Sequence, residues 1–118
     1  MKNNEHKIQV ECVKLFRYKY AALHYRLFAI PNGGQRNKTV AAKMKSEGVL
    51  RGVWDLFLAV PRNGKHGLFI EIKYGYNKLT EHQEIFKSHL QSDYAFGVAY
   101  SVEEFLQLVN DYLTTKSK

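Results

Sequence analysis

VWDLFL (residues 53–58) and GLFIEIK (residues 67–73) decide the fold of this chain. Both stretches are rich in apolar, aromatic and β-branched residues, and PRNGKH (residues 61–66) separates them. This pattern predicts two strands joined by a turn. Because side chains alternate across a strand, Glu71 and Lys73 should share one face. Leu68, Ile70 and Ile72 should take the other face.

Asp55, on the first predicted strand, adds a second carboxylate to this charged group. Ionised side chains at the ends of buried strands are costly unless something pairs them. A divalent cation between Asp55 and Glu71 is one way to pair them, because carboxylates suit Mg²⁺ or Mn²⁺. An ordinary ion pair between Lys73 and one of the acids is the alternative, and Glu-x-Lys alone would favour it.

Length and composition predict one folded domain, residues 1–118, with 45% hydrophobic content. The formal net charge of +7 favours a polyanion such as nucleic acid as partner, although solubility alone would also explain it. No apolar run is long enough to span a membrane, and the N-terminus leads into no apolar signal region. The single cysteine, Cys12, fits the core of a protein in a reducing cytoplasm.

Apolar periodicity and capping signals predict the order of the elements. Helices are expected at residues 4–22, 37–47, 80–91 and from 101 to about 113, and strands at 25–30, 53–58, 67–73 and 94–100. The order is α-β-α-β-β-α-β-α. It predicts an α/β fold with a mixed β-sheet flanked by helices.

The chain resembles a VRR-NUC domain, the virus-type replication-repair nuclease branch of the PD-(D/E)xK superfamily, from about residue 7 to residue 113. The matching pieces are Glu11, PNGGQR at 31–36, KSEG at 45–48, GVWD at 52–55, EIK at 71–73 and Gln83. The resemblance implies a restriction-endonuclease-like core. One departure is Trp54, which stands where the family usually has proline; it shapes the strand entry and is not a ligand, so we expect the site to survive.

The resemblance also implies roles for the charged group. Asp55, Glu71 and the backbone carbonyl of Ile72 would hold Mg²⁺ or Mn²⁺, which would polarise a phosphodiester and lower the pKa of a bound water. Lys73 would orient or deprotonate that water, or stabilise developing negative charge. Two carboxylates about 4 Å apart repel by roughly 4 kcal/mol at an effective dielectric near 20, so metal binding should raise thermal stability.

The resemblance implies that two further residues, Glu11 and Gln83, belong to the site. Glu11, on the first helix, would bind a second metal directly or through water, whereas the alternative is a solvated helix glutamate. Gln83 is expected at the third position of a capping box whatever the function. The resemblance also places it near Lys73 or the scissile phosphate, and we expect that one amide does not fully serve both roles.

A glycine-rich loop followed by basic side chains suits phosphate, since exposed backbone amides bind anions. The residues expected to contact DNA are Asn32, Gly33, Gly34, Arg36, Lys38, Lys43 and Arg51; a solvated basic face is an equally good interpretation of the last two. Tyr74 and Tyr76 directly follow Lys73. They would suit stacking on an unpaired base, but packing is the more common role for aromatic residues at a strand end.

The leading hypothesis is therefore a metal-dependent endodeoxyribonuclease. A stand-alone chain of this kind resembles phage-type members, which implies a homodimer that cuts branched DNA such as four-way (Holliday) junctions, in the cytoplasm of a bacterial host. A structure-specific DNA-binding module without cleavage activity is the competing hypothesis. An RNA-directed nuclease is a third.

Overall fold

The computed structural model describes residues 2–31 and 37–115, with side chains from residue 4 onward in the first range. Within these ranges the elements are α1 (Lys2–Lys19), β1 (Leu27–Ala29), α2 (Lys38–Ser46), β2 (Leu56–Leu58), β3 (Leu68–Ile72), α3 (Glu81–Leu90), β4 (Ala95–Ala99) and α4 (Val102–Thr114). The predicted α/β fold and its element order are confirmed.

The segment between α1 and β1 differs from the prediction. The backbone of Tyr20 leaves the helical region, with φ −120° and ψ 55°, and a 3₁₀ helix at Ala21–Arg26 follows. As a result α1 ends at Lys19 and β1 starts at Leu27. Apolar periodicity does not distinguish a 3₁₀ turn from the end of an α-helix, so this break cannot be predicted from the pattern of apolar residues.

The sheet has the strand order β1-β2-β3-β4. The first two pairs are antiparallel and β3 pairs with β4 in parallel, so the sheet is mixed as predicted. Asn63 and Gly64 form the tight turn between β2 and β3 with positive φ angles of 50° and 80°, as an Asn-Gly hairpin turn requires. The register pairs Leu56 with Ile70, and continuing it by one residue places Asp55 opposite Glu71.

Helices cover both faces of the sheet. On one face the aliphatic core packs against α1 and α4, and its fully buried helical members are Cys12, Phe16, Phe105 and Val109. On the other face Phe69 contacts Phe86 of α3, with ring centroids 5.1 Å apart. Burial raises the pKa of the Cys12 thiol to about 12, which fits core filler. In the described part of the chain, no helix is long and apolar enough to cross a membrane.

Candidate active site

Asp55 and Glu71 face each other across β2 and β3, and each carboxylate accepts a hydrogen bond from the opposing strand. The Asp55 N–H donates to Glu71 Oε1 at 3.1 Å, and the Ile72 N–H donates to Asp55 Oδ2 at 2.9 Å. Glu71 is 3% exposed. A strand residue directs its N–H and C=O to the same neighbour, so the Ile72 carbonyl lies on the Asp55 side of β3.

Lys73 shares the face of Glu71, as the alternation of side chains predicts. It is 7% exposed, and its Nζ lies 3.6 Å from Glu71 Oε2. A backbone hydrogen bond from the Lys73 N–H to the Ala99 carbonyl fixes this position against β4. Buried ammonium groups are costly unless they are paired, so Lys73 depends on the acids beside it.

Gln83 bonds at both ends of its amide. Its Oε1 accepts the Thr80 N–H at 2.9 Å, which completes the predicted capping box, and its Nε2 donates to Glu71 Oε2 at 2.8 Å. The expectation that one amide would not serve both roles was wrong. An amide has separate acceptor and donor atoms, and the capping role uses only the acceptor.

Electrostatics in this cluster favour a bound cation. The pKa of Glu71 is raised from 4.5 to about 8, first by burial and then by the charge of Asp55. The pKa of Asp55 is also raised, mainly by burial and in part by the charge of Glu5. Hydrogen-bond donors and Lys73 oppose these shifts without cancelling them. The oxygen donors and the excess of buried negative charge both fit Mg²⁺ or Mn²⁺.

The structure does not bring Glu11 to this cluster. Glu11 is exposed on α1, about 120° around the helix from Glu5. Glu5 instead lines a cavity of about 480 Å³ together with Asp55, and further lining comes from the α1 residues His6, Gln9, Val10, Val13, Lys14 and Arg17. Sequence reasoning missed Glu5, because an acid in the first turn of a helix is already explained by the helix dipole.

The carboxylates of Glu5, Asp55 and Glu71 accept hydrogen bonds from protein donors. No group of three or more His, Cys, Asp or Glu side chains there has a geometry ready to hold a metal. The Glu5 carboxylate accepts from Asn77 Nδ2 at 3.1 Å, and Glu71 accepts from Gln83. Asp55 and Glu71 are therefore the two acids of this site that face each other. Glu5 lines the adjoining cavity next to Asp55.

Trp54 connects the strand entry to α3. Its side chain is 1% exposed, its Nε1 donates to the Gln83 carbonyl at 3.1 Å, and its ring meets Phe96 edge-on. Gly52 allows the two segments to approach closely, because a Cβ there would lie 2.3 Å from the His82 carbonyl oxygen. The residue that replaces the family proline thus positions the helix that carries Gln83.

The expected DNA-contacting residues are only partly visible. Asn32, Gly33, Gly34 and Arg36 lie outside the described residues. The loop that contains them starts beside the site, since the Ile30 N–H donates to the Asp55 carbonyl at 2.8 Å. On α2 and after it, three of the expected basic residues are exposed: Lys38, Lys43 and Arg51.

The packing role favoured for Tyr74 and Tyr76 is wrong. Tyr74 is 46% exposed and Tyr76 is 101% exposed. The chain turns sharply after Lys73, with Gly75 at φ 64°, and this turn carries both rings away from the core.

No protein-family model matches the sequence, and a search of curated proteins finds no match. The search of solved structures finds a "VRR_NUC domain protein" that superposes with a TM-score of 0.83 at 24% sequence identity. The superposition covers 97% of this chain and 91% of the other. This chain therefore has the fold of a VRR-NUC domain, as its motifs predicted.

Proposed function

We propose that this protein is a divalent-metal-dependent endonuclease that hydrolyses phosphodiester bonds in DNA. The observation that carries the proposal is the pairing of half-buried Asp55 with buried Glu71, in which the pKa of both carboxyls is raised. Lys73 and Gln83 converge on the same carboxylate, Glu71. The fold shared with a VRR_NUC domain protein supports the same conclusion.

Each residue has a distinct task in this mechanism. Asp55, Glu71 and the Ile72 carbonyl would hold Mg²⁺ or Mn²⁺, which when bound supplies charge neutralisation for the phosphoryl oxygens. Gln83 orients Glu71 through its Nε2 donor. Lys73 places a positive charge beside the pair, where it stabilises negative charge that develops on the phosphate.

Glu5 is the α1 acid that we assign to the site. It lines the cavity next to Asp55, and its charge contributes to the raised pKa of Asp55. Glu11, the acid suggested by the resemblance, is exposed on another side of the helix.

DNA is the proposed substrate because the chain carries a net charge of +7 and phosphate contacts dominate nucleic-acid affinity. Exposed basic residues on α2 are available to contact the backbone of a bound strand. We further propose that the substrate is branched DNA and that a homodimer cuts it, because two-fold symmetry holds two sites at a fixed separation. Action in the cytoplasm remains a prediction from the sequence.

Cleavage of a labelled four-way junction in Mn²⁺ tests the proposal. Wild type should cut the junction, Asp55→Ala should not, and Asp93→Ala should match wild type because Asp93 is an exposed residue at the other end of the sheet. Binding without any cutting by wild type would instead favour a DNA-binding module. Equal cutting of linear duplex would retain the nuclease and remove the junction-resolving role.

A further inference from the structure

The turn from Tyr74 to Asn77 carries two exposed aromatic residues, one and three positions beyond the buried Lys73. The Asn77 N–H closes the turn on the Tyr74 carbonyl at 3.2 Å. Tyr76 is 101% exposed and Tyr74 is 46% exposed. In the described part of the chain, neither ring pairs with another aromatic ring. The fold covers part of Tyr74 and leaves Tyr76 entirely in solvent.

The backbone of the turn is held at both ends, although the Tyr76 ring is fully exposed. Asn77 Nδ2 donates to Glu5 Oε2 at 3.1 Å, and Tyr100 Oη donates to the Asn77 carbonyl at 2.6 Å. The backbone of Lys73 is bonded to β4 at the other end of the turn. Anchoring at both ends fixes the backbone of the turn next to the site, because Glu5, which holds Asn77, lines the same cavity as Asp55.

Exposed tyrosine rings next to a phosphodiester-cutting site suit nucleobases. Every base has an aromatic face, so stacking on tyrosine tolerates any sequence. Bases inside a paired duplex are already stacked on each other, whereas unpaired bases can leave the strand and stack on protein. The exposed Lys78, just beyond the turn, adds a positive charge for the adjoining backbone phosphate.

We propose that Tyr74 and Tyr76 form a stacking platform for an unpaired base next to the scissile phosphate. The substrate class is then DNA that contains unpaired nucleotides beside a paired segment, such as an open branch point, a flap or a gap. This inference deepens the proposed nuclease function and rests on it, because only a nuclease has a scissile phosphate. The stacking itself requires only DNA binding.

The test uses binding rather than cleavage, in buffer without divalent metal. A gapped duplex carrying 2-aminopurine at its unpaired position is compared with a fully paired duplex of the same sequence. Wild type should change the fluorescence of the unpaired 2-aminopurine as it stacks. Tyr76→Ala should lose this signal and weaken binding of the gapped DNA by roughly 5- to 150-fold, with little change for the paired duplex.

Matched variants separate stacking from general damage. Tyr76→Phe keeps a ring and should behave as wild type. Tyr25→Ala removes another almost fully exposed tyrosine, 94% exposed, at the end of the sheet away from Asp55, and should change neither readout. Because Tyr76 packs against nothing, melting temperatures should be unchanged for all of these variants.

Three outcomes would overturn the platform. The double variant Tyr74→Ala/Tyr76→Ala could leave gapped-DNA binding and fluorescence unchanged. It could also weaken the binding of paired and gapped DNA equally. The same double variant could instead disrupt self-association without affecting DNA, which would make the turn a protein contact. If wild type stacks on the base but never cuts in Mn²⁺, the nuclease proposal fails and the platform stands. If wild type cuts and the tyrosine variants bind normally, only the platform fails.

Discussion

Gln83 Nε2 lies 2.8 Å from Glu71 Oε2, so the residue that caps α3 also holds a carboxylate of the candidate active site. The other end of the same amide accepts the Thr80 N–H at 2.9 Å. The start of α3 is therefore fixed relative to β3 by one side chain. Any change at Gln83 affects both helix stability and the orientation of Glu71, and suitable substitutions separate these two effects.

Gln83→Ala should remove both hydrogen bonds. We expect a loss of about 1 kcal/mol in the free energy of unfolding from the broken cap, together with slower cleavage. Gln83→Glu should keep the cap, because a carboxylate still accepts the Thr80 N–H, but it places a negative charge against Glu71. Cleavage by Gln83→Glu should therefore be impaired while stability falls less. Gln91→Ala, at the exposed end of α3, is the control. Equal activity of wild type and Gln83→Glu would contradict the assignment.

Stability without metal should depend on pH through Glu71. Its pKa is raised from 4.5 in the unfolded chain to about 8 in the folded protein, so the folded state keeps a proton that the unfolded chain releases. This contribution to stability is complete below the unfolded pKa and is lost as the pH rises through the folded pKa. Melting temperatures in a chelator should fall across this window. The slope of melting temperature against pH should flatten in Glu71→Gln. It should not flatten in Glu84→Gln, because Glu84 is an exposed acid of α3.

Metal binding should reverse this protonation. At pH 7 the Glu71 carboxyl, with its pKa of about 8, is largely protonated, so binding of Mn²⁺ should release up to about one proton. Calorimetric titration in two buffers with different ionisation enthalpies measures that number. Glu71→Gln should release none, and binding to wild type should raise its melting temperature. A wild-type protein that takes up no metal with or without DNA would remove the metal site.

Glu5 rather than Glu11 should be the α1 acid that matters for cleavage. Glu5→Gln should lower cleavage by roughly 10- to 100-fold, the range seen when a residue that supports a metal site is lost. The substituted amide still accepts from Asn77, so the turn should remain in place. Glu11→Gln should cleave almost as fast as wild type. Cleavage rates measured over a range of Mn²⁺ concentrations decide between the two acids, and the opposite ranking would restore Glu11.

The fold could be predicted because its signals are local. Capping signals at Thr80 and Ser101 mark the helix starts. The full capping box forms at Thr80, whereas at Ser101 only the N-cap bond forms and Glu104 accepts the Tyr100 N–H instead. The Asn63-Gly64 turn reverses the chain between β2 and β3, and the ladder between these strands, continued by one residue, places Asp55 opposite Glu71. Alternation along β3 then brings Lys73 to the same face. These steps need only neighbouring residues, so they could be made from the sequence.

The rest depends on contacts between distant parts of the chain. The rotation of α1 about its own axis decides whether Glu5 or Glu11 faces the site. The packing of α1 against the sheet sets that rotation. The double role of Gln83 depends on how closely α3 approaches β3. Tyr74 and Tyr76 were assigned to packing because strand-end aromatics often pack, but the turn at Gly75 directs them to solvent. None of these relationships has a signal within a short stretch of sequence.

Exposed basic residues around α2 should supply DNA affinity without sequence selectivity. Lys38→Ala, Lys43→Ala and Arg51→Ala should each weaken binding to all sequences and lower the slope of log affinity against log salt by about 1. Lys65→Ala is the control, because its Nζ is already bound to the carbonyls of Gln91 and Ser92. Fluorescence anisotropy at several salt concentrations measures the slopes. If none of the three substitutions changes the slope of log affinity against log salt, the DNA binds to another surface.

Trp54 should matter through the position of α3. Trp54→Phe removes the hydrogen bond to the Gln83 carbonyl and keeps most of the ring, so we expect a loss of about 1 kcal/mol in unfolding free energy. Trp54→Pro introduces the residue usual in VRR-NUC domains but also empties the space beside Phe96, at an expected cost on the order of 3–5 kcal/mol. Urea unfolding measures both. If Trp54→Pro were as stable as wild type, the ring would not be what holds α3 against the strand entry, and Gly52 would carry that close approach alone.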